Sequence, residues 1–176
     1  MNSKGRVILG LVIFASLSSS VFAQSFASLD EPVLIQIKKG LSISKLGGDL
    51  NFGEYVLSAN NETINKSNEE GINFEVTGHP GRAVTINFAD VTLSNNAWVS
   101  ANSGTAGNLT FLPEVESTGA NNAYSGASTV TTGGSVNLVN DAGLGKLYLW
   151  VGGNIEVTNS TNQGDYVGTF TLSVAY

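Results

Sequence analysis

A chain of 176 residues with fourteen Asp and Glu against eight Lys and Arg, and a formal charge of −6, offers no field for a phosphate backbone or an anionic lipid surface. Its only basic pair is Lys38 and Lys39, so nucleic acid is not an expected partner. With no cysteine and a single histidine, disulfide staples and thiol chemistry are excluded, and stability has to come from burial of apolar side chains.

In chain order, Lys4 and Arg6 precede an apolar run over residues 7–17, followed by small residues and Val21, Phe22 and Ala23. This three-part pattern predicts a secretory signal peptide over residues 1–23, cleaved after Ala23. The apolar run is shorter than the roughly twenty residues a spanning helix needs, so no membrane span is expected once the signal is removed. Residues 24–176 then hold six Lys and Arg against fourteen acids, a charge of −8. That length suits one domain with its own core.

Gly, Ser, Thr and Asn are abundant, and no stretch after the signal shows a 3.6-residue apolar stripe, so the expected class is all-β. Val33, Ile35 and Ile37 alternate with other residues, Gly40 interrupts, and Leu41 and Ile43 continue. Residues 60–71 read as a polar loop anchored by Ile64 alone. Ile72, Phe74 and Val76 and then Val84, Ile86 and Phe88 read as a hairpin around Gly78, His79, Pro80 and Gly81, with Val91 and Leu93 extending its second strand. Two long loops are expected, 94–107 and 117–134. Residues 146–151 form a strand, Gly152, Gly153 and Asn154 a hairpin turn, and Ile155 and Val157 the returning strand. After a turn over 159–164, Tyr166, Gly168, Phe170, Leu172, Val174 and Tyr176 alternate with mostly polar neighbours, which predicts a twelve-residue terminal strand over 165–176. About nine to eleven short strands at this spacing point to an antiparallel β-sandwich. The expected core is Ile35, Ile37, Phe52, Phe74, Val76, Val84, Ile86, Leu147, Leu149, Phe170, Leu172 and Val174.

Nothing assembles into a reaction centre. His79 sits in a turn without an evident nucleophile. Glu114 and Glu116 point the same way from one strand, as a solvated face requires, and the stretch from Asn140 to Gly143 lacks the spaced oxygen ligands of a calcium loop. No catalytic residue, cofactor or metal is expected. Trp98 and Tyr124, in the two long loops, are the possible ligand-contact aromatics, since ring faces beside Asn and Ser suit a glycan. Trp150, between Leu149 and Val151, is expected at the sheet interface.

Leu50, Asn51, Phe52 and Gly53, then Val76, Thr77 and Gly78, then Val151, Gly152 and Gly153, and finally Gly164, Tyr166, Gly168, Phe170, Val174 and Tyr176 stand in an order that resembles the bacterial family known as domain of unknown function 4402. The closing strand is also similar to that of the spore coat protein U family and of chaperone–usher pilins. The resemblance implies an exported, immunoglobulin-like sandwich at the periplasm, cell surface or exterior of a Gram-negative bacterium. It further implies a periplasmic chaperone as partner and β-strand addition to copies of itself or to other surface subunits. The assembly-strand candidates are Val33, Ile35, Ile37, Phe170, Leu172, Val174 and Tyr176, with Val33, Ile35 and Ile37 serving either as a donated strand or as an ordinary first strand. Two functions follow as expectations: a non-enzymatic structural or adhesive subunit of a fibre or envelope layer, or a secreted module that binds glycan or protein through loops 94–107 and 117–134.

Overall fold

Alternating apolar residues become strands where one face can be buried against a second layer. Eleven strands, all paired antiparallel, do this among the described residues of the computed structural model, which describes residue 35 and residues 39–176. The larger sheet has eight strands. Its main path runs β1 (Ser42–Lys45), β3 (Ile72–Gly78), β10 (Leu144–Val157), β6 (Asn108–Gly119), β5 (Val91–Ser94); β2 (Glu62–Lys66) and β9 (Val139–Asp141) also pair with β10, and β7 (Ser128–Val130) with β6. The smaller sheet orders β11 (Ser173–Ala175), β4 (Ala83–Asn87), β8 (Gly134–Asn137). The fold is an all-β antiparallel sandwich.

Strand β10 is the spine of the large sheet. Leu147, Leu149 and Val151 face inward and are fully buried, as are Ile155 and Val157 nearly so. Lys146, Tyr148, Trp150, Asn154 and Glu156 alternate to the outer face. Gly152 and Gly153 therefore lie inside one fourteen-residue strand, not in the expected hairpin turn. Two close approaches explain their presence. The backbone of Asn68 would touch any Cβ on Gly152, and Gly153 has φ 139°, with the Leu112 carbonyl closing on it from β6. Small residues here let β2 and β6 flank β10 without interrupting it.

Inward residues from both layers form two clusters. One joins Val76, Val84, Ile86, Val115, Leu147, Leu149 and Val151 beneath the small sheet; the other centres on Phe111, Ile155 and Val157. Of the expected core, Val76, Val84, Ile86, Leu147 and Leu149 are fully buried. Phe52, Phe74, Phe170, Leu172 and Val174 are half-buried around the clusters. Ile35 is a correction, being 80% exposed; Val33 and Ile37 lie outside the described residues.

Further expectations change with the topology. β3 and β4 are not a hairpin, because β3 pairs with β1 and β10 in the large sheet while β4 pairs with β8 and β11 in the small one. The turn at Gly78 to Gly81 carries the chain between layers, a route that the same turn residues permit. β5 does not extend β4 but returns to the large sheet against β6. Residues 60–71 include β2, registered Ile64 to Ile155 on β10. Stretch 94–107 contains the one helix among the described residues, α1 (Asn96–Asn102), and stretch 117–134 begins in β6 and includes β7.

Candidate functional site

The terminal segment keeps its predicted two-residue period in part, since Gly168 and Tyr176 of the expected inward face are exposed. Tyr166, Phe170, Leu172 and Val174 are half-buried, whereas Asp165, Thr169, Thr171 and Ser173 are exposed. Its hydrogen bonding, however, is sparse. Val167 and Ser94 exchange two backbone bonds of 3.0 Å, and β11 registers Val174 against Ile86. Between these points residues 168–172 belong to no strand. The expected twelve-residue strand is thus reduced to a bridge and three residues, because β4 is short and, among the described residues, no second neighbour flanks β11.

This sparse backbone covers the second core cluster. Phe170 and Phe52 pack edge-on against Phe111 at ring separations of 6.1 and 5.7 Å, and Phe52 likewise comes from backbone outside any strand. Directly after it Tyr55, Val56 and Leu57 are exposed at 39%, 82% and 39%. The two edges of the small sheet and the stretches 53–57 and 168–172 consequently present backbone amides and carbonyls without ladder partners among the described residues. Such groups accept an added strand.

At its end the segment is latched. The Tyr176 hydroxyl accepts the His79 N–H at 2.7 Å and donates to the Lys39 carbonyl at 3.0 Å, and the Arg82 guanidinium lies 5.8 Å from the ring centre. His79, expected on an open turn, is half-buried, with Nδ1 lacking a partner among the described residues.

The two loop aromatics are not brought together. Trp98, on α1, packs over Gly104 and beside Gly164. That corner is pinned by fully buried Asn95, which donates to the Thr105 and Gln163 carbonyls at 3.1 and 2.9 Å and accepts the Gly107 N–H at 2.8 Å. Tyr124 instead meets Trp150, ring centres 5.5 Å apart and 73° between planes. Trp150 is therefore on the outer face, a correction that the burial of Leu149 and Val151 requires, since neighbours in a strand point to opposite sides. The Tyr124 hydroxyl donates to Glu116. This bond, with burial and the charges of Glu116 and Glu69 adding to it, pushes the phenol up to about 12; Tyr124 and then Asn68 hold the Glu116 carboxyl below its usual range. Tyr148, beside it, donates to Glu75 at 3.0 Å.

Farther along the same face lie two shallow hollows. One of about 280 Å³ includes Asn108, Thr110, Glu156, Thr158 and Thr161, and one of about 200 Å³ includes Asn61, Glu62, Thr63 and Glu156. Hydroxyls, amides and separated carboxylates line them, without a nucleophile paired to a base. Among the described residues no three His, Asp or Glu side chains converge as a metal site would require. Asn140 uses its side-chain oxygen to accept the Gly143 N–H at 2.9 Å, closing the β9–β10 turn. Compared with known proteins, the chain matches no family model and no curated protein.

Proposed function

We propose that this chain is an exported, non-enzymatic structural or adhesive subunit, or an accessory, of a cell-surface fibre or envelope layer, and that it assembles by β-strand addition. The observation that carries the reading is the pairing capacity of the small sheet left unfilled by the described residues, among which the terminal strand β11 has β4 as its one neighbour, while Val174 within it and Phe170 and Leu172 just before it stay half-buried. An added strand would supply the missing ladder bonds and complete the burial of these side chains. The donor is an extended segment with alternating apolar residues, and Val33, Ile35 and Ile37 of another copy have that pattern; Ile35 is already solvent-exposed. A periplasmic chaperone would hold the same edge before assembly. The signal pattern expected over residues 1–23 and the resemblance of the closing motif to surface-fibre subunits, both read from the sequence, accord with this role.

Light scattering on the mature chain across a concentration series tests it. Growth of oligomers that is abolished by Val33→Asp, Ile35→Asp and Ile37→Asp together is the expected result. A mature chain that stays monomeric at every concentration, in isolation and with a candidate chaperone-held subunit, overturns it.

A further inference from the structure

The outer face of the large sheet carries a second surface, on the other side of β10 from the core. A sandwich needs no large rings there, yet Trp150 and Tyr124 are half-buried against each other and Tyr148 is 7% exposed. We propose that this aromatic face is a docking site for a cationic polypeptide segment, one that lays an arginine or lysine side chain on the rings and against Glu116.

The choice of ligand follows from which hydrogen-bonding capacity is already used. Trp150 Nε1 donates to Thr118 Oγ1 at 3.0 Å, Tyr148 to Glu75 at 3.0 Å and Tyr124 to Glu116. All three ring donors are occupied. What half-buried Trp150 and Tyr124 and the carboxylates still offer is exposed ring surface and acceptor lone pairs, the complement of a guanidinium or ammonium, which has donors alone. A neutral sugar would also need donors for its oxygens.

Charge agrees with this chemistry. Glu116 neighbours Trp150 across the β6–β10 ladder, Glu114 follows two residues along the same face, and the charge of Glu69 reaches Tyr124. Among the described residues none of these three is in an ion pair, whereas Lys146, at the far side of Tyr148, is held by Asp141 at 2.9 Å and Glu75 at 3.7 Å. A guanidinium can stack on an indole and bond a carboxylate at once, and the net charge of −6 steers cations inward.

The chain has two tryptophans, so Trp98→Phe leaves Trp150 as the fluorescent reporter. Titration with a hexa-arginine peptide is expected to give a saturable change in its emission. Glu116→Gln keeps an acceptor for the Tyr124 hydroxyl while removing the charge, and should weaken binding about tenfold with the thermal melt retained. Glu156→Gln, at the distant end of the same face, should leave affinity unchanged. The proposal is overturned if Trp150 emission does not respond to the peptide. It is equally overturned if Glu156→Gln weakens binding as much as Glu116→Gln, which would mean bulk charge attraction, or if a chito-oligosaccharide rather than the peptide saturates the response.

Discussion

Asn95 and Asn96 are the same residue type, adjacent, in a loop rich in asparagine, yet one is fully buried and the other exposed. Composition cannot tell them apart. The difference lies in partners from residues 105, 107 and 163, which meet only after the chain has folded. Replacing Asn95 by Ala would strand one N–H and two carbonyls in a dry corner, and each orphaned group costs about 1–3 kcal/mol. Urea denaturation is expected to show a loss of at least about 3 kcal/mol, with little effect from Asn96→Ala. Tyr124 makes a pH-dependent contribution. Its folded pKa of about 12 exceeds the ordinary 10, so between those values the unfolded chain loses the phenol proton before the folded one does. The stabilisation is fully present below pH 10 and is lost as pH rises through 12. The melting-temperature advantage of wild type over Tyr124→Phe should therefore shrink across that interval; an advantage constant to pH 12 would contradict the Glu116 bond.

At the scale of the elements, periodicity was a good guide to which residues turn inward and a poor one to where strands end. Leu147 and Leu149 were legible because alternation survives in any topology, and the structure adds Val151 to them. The glycine pair inside β10 was not legible, since Gly-Gly also marks a tight turn, and only the approach of Lys66 and Asn68 to Gly152 and of Leu112 to Gly153 shows why side chains are forbidden there. Gly152→Ala would drive a methyl group into the Asn68 backbone, which should displace β2 and expose Ile64 and Ile155 to a hydrophobic dye at temperatures where the wild type is silent. The same limit applies to the candidate site. The face of the terminal segment was readable from Phe170, Leu172 and Val174, but the ladder partners it lacks among the described residues depend on the shortness of β4. Truncation of a fully buried phenylalanine to alanine costs about 3–5 kcal/mol. Phe170 is only half-buried, so Phe170→Ala in the isolated subunit should cost less, about 2 kcal/mol by denaturant titration.

For the molecule as a whole, the unequal sheets connect stability to assembly. Among the described residues eight strands on one side face three on the other, and irregular backbone carrying Phe52 and Phe170 covers what the small sheet does not reach. If a neighbour's strand completes that layer, it binds the folded state and leaves the unfolded chain alone, so it must raise stability by mass action: about 2.7 kcal/mol at one hundred times its dissociation constant. A synthetic peptide of residues 24–39 added to a chain beginning at Lys39 is expected to raise the melting temperature with a concentration dependence of that form. Phe170→Ala should then lose more in the presence of peptide than in its absence, because the ring becomes fully enclosed only in the complex. Methylating alternate backbone nitrogens on the pairing edge of the peptide preserves Val33, Ile35 and Ile37 as side chains but removes the ladder donors. Loss of the thermal shift on methylation would assign the effect to strand pairing, whereas an undiminished shift would mean that the peptide sticks through its apolar side chains and that the open edge of β11 is not where it binds.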